Sequence, residues 1–186
     1  MKISETDILL LPGYGDTPAG HWMHRWCEKM PTARIVAQRN WFQPVLKEWI
    51  DALKEAVAAA ERPVVLVGHS LGSITAVHAA HGHGLDTDKI KAAFLVAPTD
   101  LNRAEPKPAF DAAQFSKVPK GPLPFRARVV ASRTDPYCAY DVAEQMARDW
   151  GAHFQDAGDA GHINLESGHG PWPEGLMSFA YLMKDL

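Results

Sequence analysis

Cysteine is nearly absent from this chain. Two thiols, Cys27 and Cys138, in 186 residues are too few and too ordinarily spaced for a disulfide framework or a zinc site. A reducing compartment fits such a composition. Long apolar runs are missing as well: no stretch approaches the length of a membrane span, and Glu5 and Asp7 in "MKISETDILLL" stand where a secretory signal needs its apolar segment. The expectation is a soluble, cytoplasmic protein with no membrane partner. Neither sign of charge dominates, with 19 basic and 22 acidic side chains and a net charge of −3. No block of like charge is long enough to track a phosphate backbone, which argues against nucleic acid as a partner. Internal repeats and low-complexity tracts are lacking too.

What is present suffices for one packed domain over residues 1–186, since 46% of the residues are apolar and the length is that of a single core. Short apolar runs at 7–12 (DILLLP), 33–37 (ARIVA), 63–68 (PVVLVG), 90–98 (IKAAFLVAP), 127–132 (ARVVAS) and 152–158 (AHFQDAG) read as six strands. Between them lie segments of helical period. Val45, Leu46, Trp49, Ile50, Leu53, Ala56 and Val57 share one face of a helix opened by Pro44. Helices are also expected over 71–83, over 139–150 with Val142, Met146 and Trp150 on one stripe, and over 174–184 with Leu176, Phe179, Ala180 and Met183 inward. Apolar strands alternating with helices require a mostly parallel sheet covered on both faces, so the fold class is α/β. Residues 99–125, with Pro106, Pro108, Pro119, Pro122 and Pro124, keep neither period and read as loop. The segment leaves a carboxyl strand end, where open α/β sheets bind ligands. It covers part of a site or is an inert surface excursion.

The most informative stretch is VVLVGHSLG at 64–72, where a buried strand gives way to Gly68-His69-Ser70-Leu71-Gly72 at the start of a helix. G-x-S-x-G between strand and helix is a nucleophile elbow. Its turn strains the serine backbone and projects the hydroxyl above the sheet, and side chains at 68 and 72 would strike neighbouring backbone. A helix N-cap would use serine there without either glycine. The Leu71 N–H at the helix start is one donor for a developing oxyanion. The second is expected from Tyr14, in the Gly13–Gly15 loop after the first strand.

A serine hydroxyl needs a histidine base, itself oriented by a carboxylate, and in this fold the acid precedes the histidine. His162, in the glycine-bearing loop after the last strand, is the first choice for the base and His169 the second. For the acid, Asp135 in "SRTDP" follows the fifth strand, with Asp100 its rival one strand earlier; Asp156 and Asp159 are less well placed. His78, His81 and His83 invite a metal reading but fit a solvated helix end better. No metal or organic cofactor is expected. Cys138 reads as a packed thiol, and His69 as structural.

With Ser70, Asp135 and His162 placed, the chain resembles the YdeN-like small serine hydrolases, the family that includes retinoblastoma-binding protein nine. The likeness spans nearly the whole chain and rests on LPGYGD with His21-Trp22, NWFQPVLKEW, VVLVGHSLG, SRTDPYC and GHINLESGHGPWPEG. It implies a compact α/β-hydrolase with a Ser–Asp–His triad, little or no lid, and strands ordered second, first, third, fourth, fifth, sixth. It also implies that Trp22 and Trp172 lie near the site, as substrate contacts or as core aromatics. Binding to retinoblastoma-type pocket proteins depends on Leu-x-Cys-x-Glu; this chain has Arg25-Trp26-Cys27-Glu28-Lys29 instead, and that partner is not implied. The expected activity is hydrolysis of a small-molecule acyl ester, with amides and thioesters as variants, by a monomer. A silent binding protein on the same fold and an acyltransferase are the alternatives.

Overall fold

The β-branched and leucine-rich runs pair with one another in the computed structural model, which describes residues 1–15 and 17–186. Among these, six strands form one parallel sheet: β1 (Asp7–Leu11), β2 (Ala33–Ile35), β3 (Val64–His69), β4 (Ile90–Val96), β5 (Arg126–Ala131) and β6 (His153–Asp156). Their order is β2-β1-β3-β4-β5-β6, the order that the family resemblance implies. The chain reverses direction of travel across the sheet between β2 and β3, so the loops after β1 and β3 diverge and leave a crevice at the carboxyl edge.

Alternation along each strand feeds two cores. Leu9, Leu11, Leu66 and Leu95 face α2 (Leu46–Ala58), α3 (Leu71–Ala80) and the end of α4 (Tyr140–Asp149), packing with Trp49, Ile74 and Trp150. Ile8, Leu10, Val65, Val67 and Phe94 face α1 (Trp22–Lys29) and α5 (Pro173–Lys184), where Trp22, Trp26, Trp172 and Phe179 fill the layer. At the amino end of β1 the buried Asp7 accepts the backbone N–H groups of Glu61 and Arg62, both at 3.0 Å, and pairs with Arg34 at 3.3 Å. This carboxylate stitches the loop before β3 to the first strand. Burial alone would raise its pKa, but these donors and the Arg34 charge hold it below the ordinary value.

Two expectations need correction. In α5 the inward stripe is Gly175, Ser178, Phe179, Leu182 and Met183, whereas Leu176 is 42% exposed and Ala180 also faces out. The register is set by Gly175: a Cβ there would sit 2.2 Å from the Trp172 ring, so the indole packs directly on the helix backbone. The histidines near the end of α3 are not a solvated helix end. His78 is buried and donates from Nε2 to Phe115 O at 3.0 Å, and His81 reaches Gly121 O at 3.2 Å. Only His83 is exposed. The pair tethers residues 99–125, which otherwise run without helix or strand. Among the described residues no group of three or more His, Cys, Asp or Glu side chains is gathered to hold a metal ion, and no helix is long and apolar enough to cross a membrane.

Candidate active site

Ser70 follows β3 with φ 54° and ψ −123°, a region that L-residues enter only under constraint, at about 1–3 kcal/mol. The constraint is visible on either side. A Cβ at Gly72 would lie 1.9 Å from Leu11 O, and one at Gly68 would lie 2.7 Å from Ser73 Cα. Only glycine lets α3 approach β1 closely enough for the turn to form. The Ser70 N–H donates to Val96 O at 3.0 Å, holding the elbow to the end of β4.

Gly13 brings the loop after β1 against the serine; a Cβ there would be 2.9 Å from Ser70 Cβ. Neither the Tyr14 N–H nor the Leu71 N–H has a hydrogen-bond partner among the described residues, and the Leu71 N–H belongs to the first turn of α3, whose donors the helix cannot satisfy itself. Both residues line a cavity of about 420 Å³ that also takes in Ser70 and His162.

His162 stands in the loop after β6 and Asp135 in the loop after β5. The ring Nδ1 donates to both carboxylate oxygens of Asp135, at 2.9 and 3.0 Å; a carboxylate only accepts, so this fixes the proton on Nδ1 and leaves Nε2 free. Asp135 is held in turn by the Tyr137 N–H at 2.8 Å, and the Tyr137 ring stands edge-on to His162 at 4.5 Å. Both members of the pair are nearly withdrawn from solvent. No hydrogen bond joins Ser70 Oγ to His162 among the described residues; such contacts commonly tighten only with substrate.

The rivals fall elsewhere. His169 bonds Ser167 Oγ at 3.1 Å and packs edge-on to Trp172, and Asp100 accepts the Asn102 N–H at 2.9 Å. Trp22 and Trp172 do not line the cavity, which corrects the expectation of a substrate contact: both are buried in the layer between the sheet, α1 and α5. Trp22 acts on the site from behind, donating from Nε1 to Ile163 O at 2.9 Å. His69 donates from Nε2 to His162 O at 2.9 Å. Two successive carbonyls of the histidine loop are thus anchored, the second at a residue of positive φ, 48°. Burial first, then the neighbouring histidines, keeps His69 neutral, its pKa well below the ordinary value.

Sequence reasoning passed over three residues here. His21 caps α1, its Nδ1 accepting the Met23 N–H at 3.2 Å, and lines the cavity. Burial, with smaller contributions from His24, His162 and His169, lowers its pKa to about 4. The ring is therefore neutral, with its proton on Nε2, which is buried and lacks a partner among the described residues. Arg103 and Phe110 come from the 99–125 excursion, which supplies one wall of the cavity; Phe110 stacks on Tyr14 with ring centroids 5.0 Å apart. The dipeptide His21-Trp22 was legible only as part of a family pattern, since neither period nor spacing distinguishes it.

A family model described as "Serine hydrolase" matches residues 8–181. Among solved structures, a protein from Pectobacterium atrosepticum described as a YdeN-like hydrolase is 31% identical, with 96% of this chain and 91% of that chain covered and a TM-score of 0.83. The ydeN gene product of B. subtilis is 19% identical over 97% of both chains, with a TM-score of 0.76. A protein from Xanthomonas campestris described as a hydrolase of the alpha/beta superfamily shares the fold at 21% identity and a TM-score of 0.65, with 96% of this chain and 98% of that one covered. No curated protein matches the sequence.

Proposed function

We propose, on the premise that this chain belongs to the serine hydrolase family, that it cleaves carboxylic esters through an acyl-enzyme on Ser70. One observation carries the reading: a serine held at positive φ and a histidine locked to a buried carboxylate face the same cavity. His162 Nε2 takes the proton as Ser70 Oγ attacks the ester carbonyl, and Asp135 keeps the imidazole in the tautomer that this needs. The charge that develops on the carbonyl oxygen meets the N–H groups of Tyr14 and Leu71, two donors that require no reorganisation. The imidazolium then returns its proton to the leaving alkoxide. Water, activated by the same ring, attacks the acyl-enzyme, releases the acid and restores Ser70.

The test is labelling of the purified protein with a fluorophosphonate probe beside Ser70→Ala and His162→Ala, the adduct located by mass spectrometry and folding checked by circular dichroism. An adduct on Ser70 that disappears in both folded variants is expected. A folded wild type that takes no label overturns the reading and leaves a hydrolase fold used for binding. Product analysis with an added alcohol separates hydrolysis from acyl transfer.

A further inference from the structure

The cavity wall contributed by the 99–125 excursion carries a cation that forms no ion pair among the described residues. Arg103 lines the cavity and is only partly exposed. Its Nη1 donates to Thr99 Oγ1 at 3.0 Å and to Asp100 O at 2.6 Å, and its Cζ lies 5.1 Å from the centroid of the Tyr137 ring. These contacts fix the plane of the guanidinium without balancing its charge, since a hydroxyl, a carbonyl and a ring face are all neutral. Nε is buried and has no partner among the described residues. No carboxylate among them forms an ion pair with Arg103, whereas exposed Lys–Glu and Arg–Glu pairs form elsewhere on the surface. Among the described residues the one acidic side chain on the lining, Glu166, is exposed, and Lys107 adds a second cation to the same wall.

A guanidinium presents five N–H donors in a rigid fork that suits a carboxylate, and burying such a group unpaired is costly. The position relative to the chemistry is also defined. Tyr137 touches both groups, with the Arg103 Cζ 5.1 Å from its ring centroid and the His162 ring 4.5 Å away. An anion bound at Arg103 would therefore share the cavity with a carbonyl attacked by Ser70.

We infer that the preferred substrates are esters that carry a carboxylate a few bonds from the scissile carbonyl, with Arg103 as the residue that selects them. The inference rests on the esterase reading of Ser70 and names the substrate class of that site. It needs no new chemical step: the carboxylate is bound and the ester is cleaved as above.

Matched pairs of esters test it. On the alcohol side the pair is 4-acetoxybenzoate and 4-acetoxybenzamide; on the acyl side it is the 4-nitrophenyl monoester of adipic acid and 4-nitrophenyl hexanoate. The quantity read is the ratio of kcat/KM for the anionic member to that for the neutral one, so each variant is its own reference for folding and for the state of Ser70. The ratio in the wild type is expected to exceed that in Arg103→Gln by about tenfold to a hundredfold in at least one pair, the range for a charge-assisted hydrogen bond. The arm that responds tells which side of the ester faces Arg103. Arg103→Lys should keep part of the preference, and added salt should reduce it. Equal ratios in wild type and Arg103→Gln for both pairs overturn the inference while leaving the esterase reading intact. Should no ester be turned over, calorimetric binding of the same pairs to Ser70→Ala and to Ser70→Ala/Arg103→Gln decides the matter without catalysis. A carboxylate preference lost with Arg103 supports the subsite, and equal binding refutes it.

Discussion

Acidification should destabilise this protein through His21, and the size of the effect follows from its surroundings. The ring is 2% exposed, its Nδ1 accepts the Met23 N–H, and the charged groups that act on it are those of His24, His162 and His169, with the His69 ring 5.3 Å away. No carboxylate offsets the burial among the causes of the shift, so protonation is disfavoured and the folded pKa falls to about 4 from 6.5. The unfolded chain thus binds this proton more readily than the folded one. The stability associated with neutral His21 is complete above about pH 6.5 and is lost as the pH falls toward 4. Linkage gives a loss of about 2 kcal/mol between pH 7 and pH 5, and about 3 kcal/mol in total once both states are protonated. His69, displaced in the same direction by burial, adds to the decline in the wild type. Urea unfolding followed by tryptophan fluorescence at pH 7 and pH 5 measures it. His21→Gln loses the titration and should show a fall smaller by about 2 kcal/mol than the wild type. Any loss of the α1 cap in the variant is independent of pH and cancels within it. Equal pH dependence in the two proteins would refute the assignment of His21 as a buried neutral ring.

Three further outcomes follow from the geometry. Ser70→Gly should abolish fluorophosphonate labelling yet raise the unfolding free energy by about 1 kcal/mol, because glycine removes strain of about 1–3 kcal/mol at positive φ and gives back part of it as chain entropy; a destabilised variant would contradict the strain. Gly72→Ala places a Cβ 1.9 Å from Leu11 O, backbone against backbone with nothing flexible to yield, and should cost more than about 4 kcal/mol or prevent folding. Gly20→Ala, at φ 90° but in open space, should cost only about 1 kcal/mol, and chemical denaturation compares the two. Trp22→Phe removes the donor to Ile163 O and leaves a buried carbonyl unpaired, for a loss of about 2 kcal/mol. Because the next residue back is His162, kcat for a 4-nitrophenyl ester should fall more than KM changes, and an unaltered kcat would show that the anchor does not position the base.

How much of this was legible in the sequence depended on whether the determining contacts were local. Strand β3, expected over 63–68 and found over Val64–His69, was readable to within one residue at each end, because the apolar run, the two glycines and the serine of the elbow are contiguous and their sterics act within one turn. The pair His162 and Asp135 could be placed at the same sheet edge by topology, with Asp135 preferred to Asp100; the loop conformation that turns one carboxylate toward the ring and the other toward Asn102 N was not legible. Helix α1 was missed. Its eight residues carry Trp22, Met23 and Trp26 inward over barely two turns, too short for a period to show. The inward face of α5 was misjudged because Gly175 lacks a side chain to mark it, yet it is the position on which Trp172 rests. His78 reads as polar and exposed from its helix-end context; its burial is decided by Phe115, 37 residues away.

The departures from ordinary local preference gather at one edge of the sheet. Ser70, Ala97 and Ile163 are the non-glycine residues at positive φ among those described, and they follow β3, β4 and β6 at their carboxyl ends. Two of the side chains with unpartnered buried donors, His21 and Arg103, flank the same cavity, while Gln38 and Arg128 lie outside its lining. At the opposite end of β1, Asp7 is fully hydrogen-bonded and ion-paired. A chain selected for stability alone would have no reason to gather its strained non-glycine residues at the carboxyl ends of the strands, beside a cavity that holds two donors without partners among the described residues. Their clustering fits a scaffold in which the rigid lower sheet offsets the cost of a preorganised upper edge, and a bound substrate carrying oxygen atoms would supply the partners that the protein itself withholds.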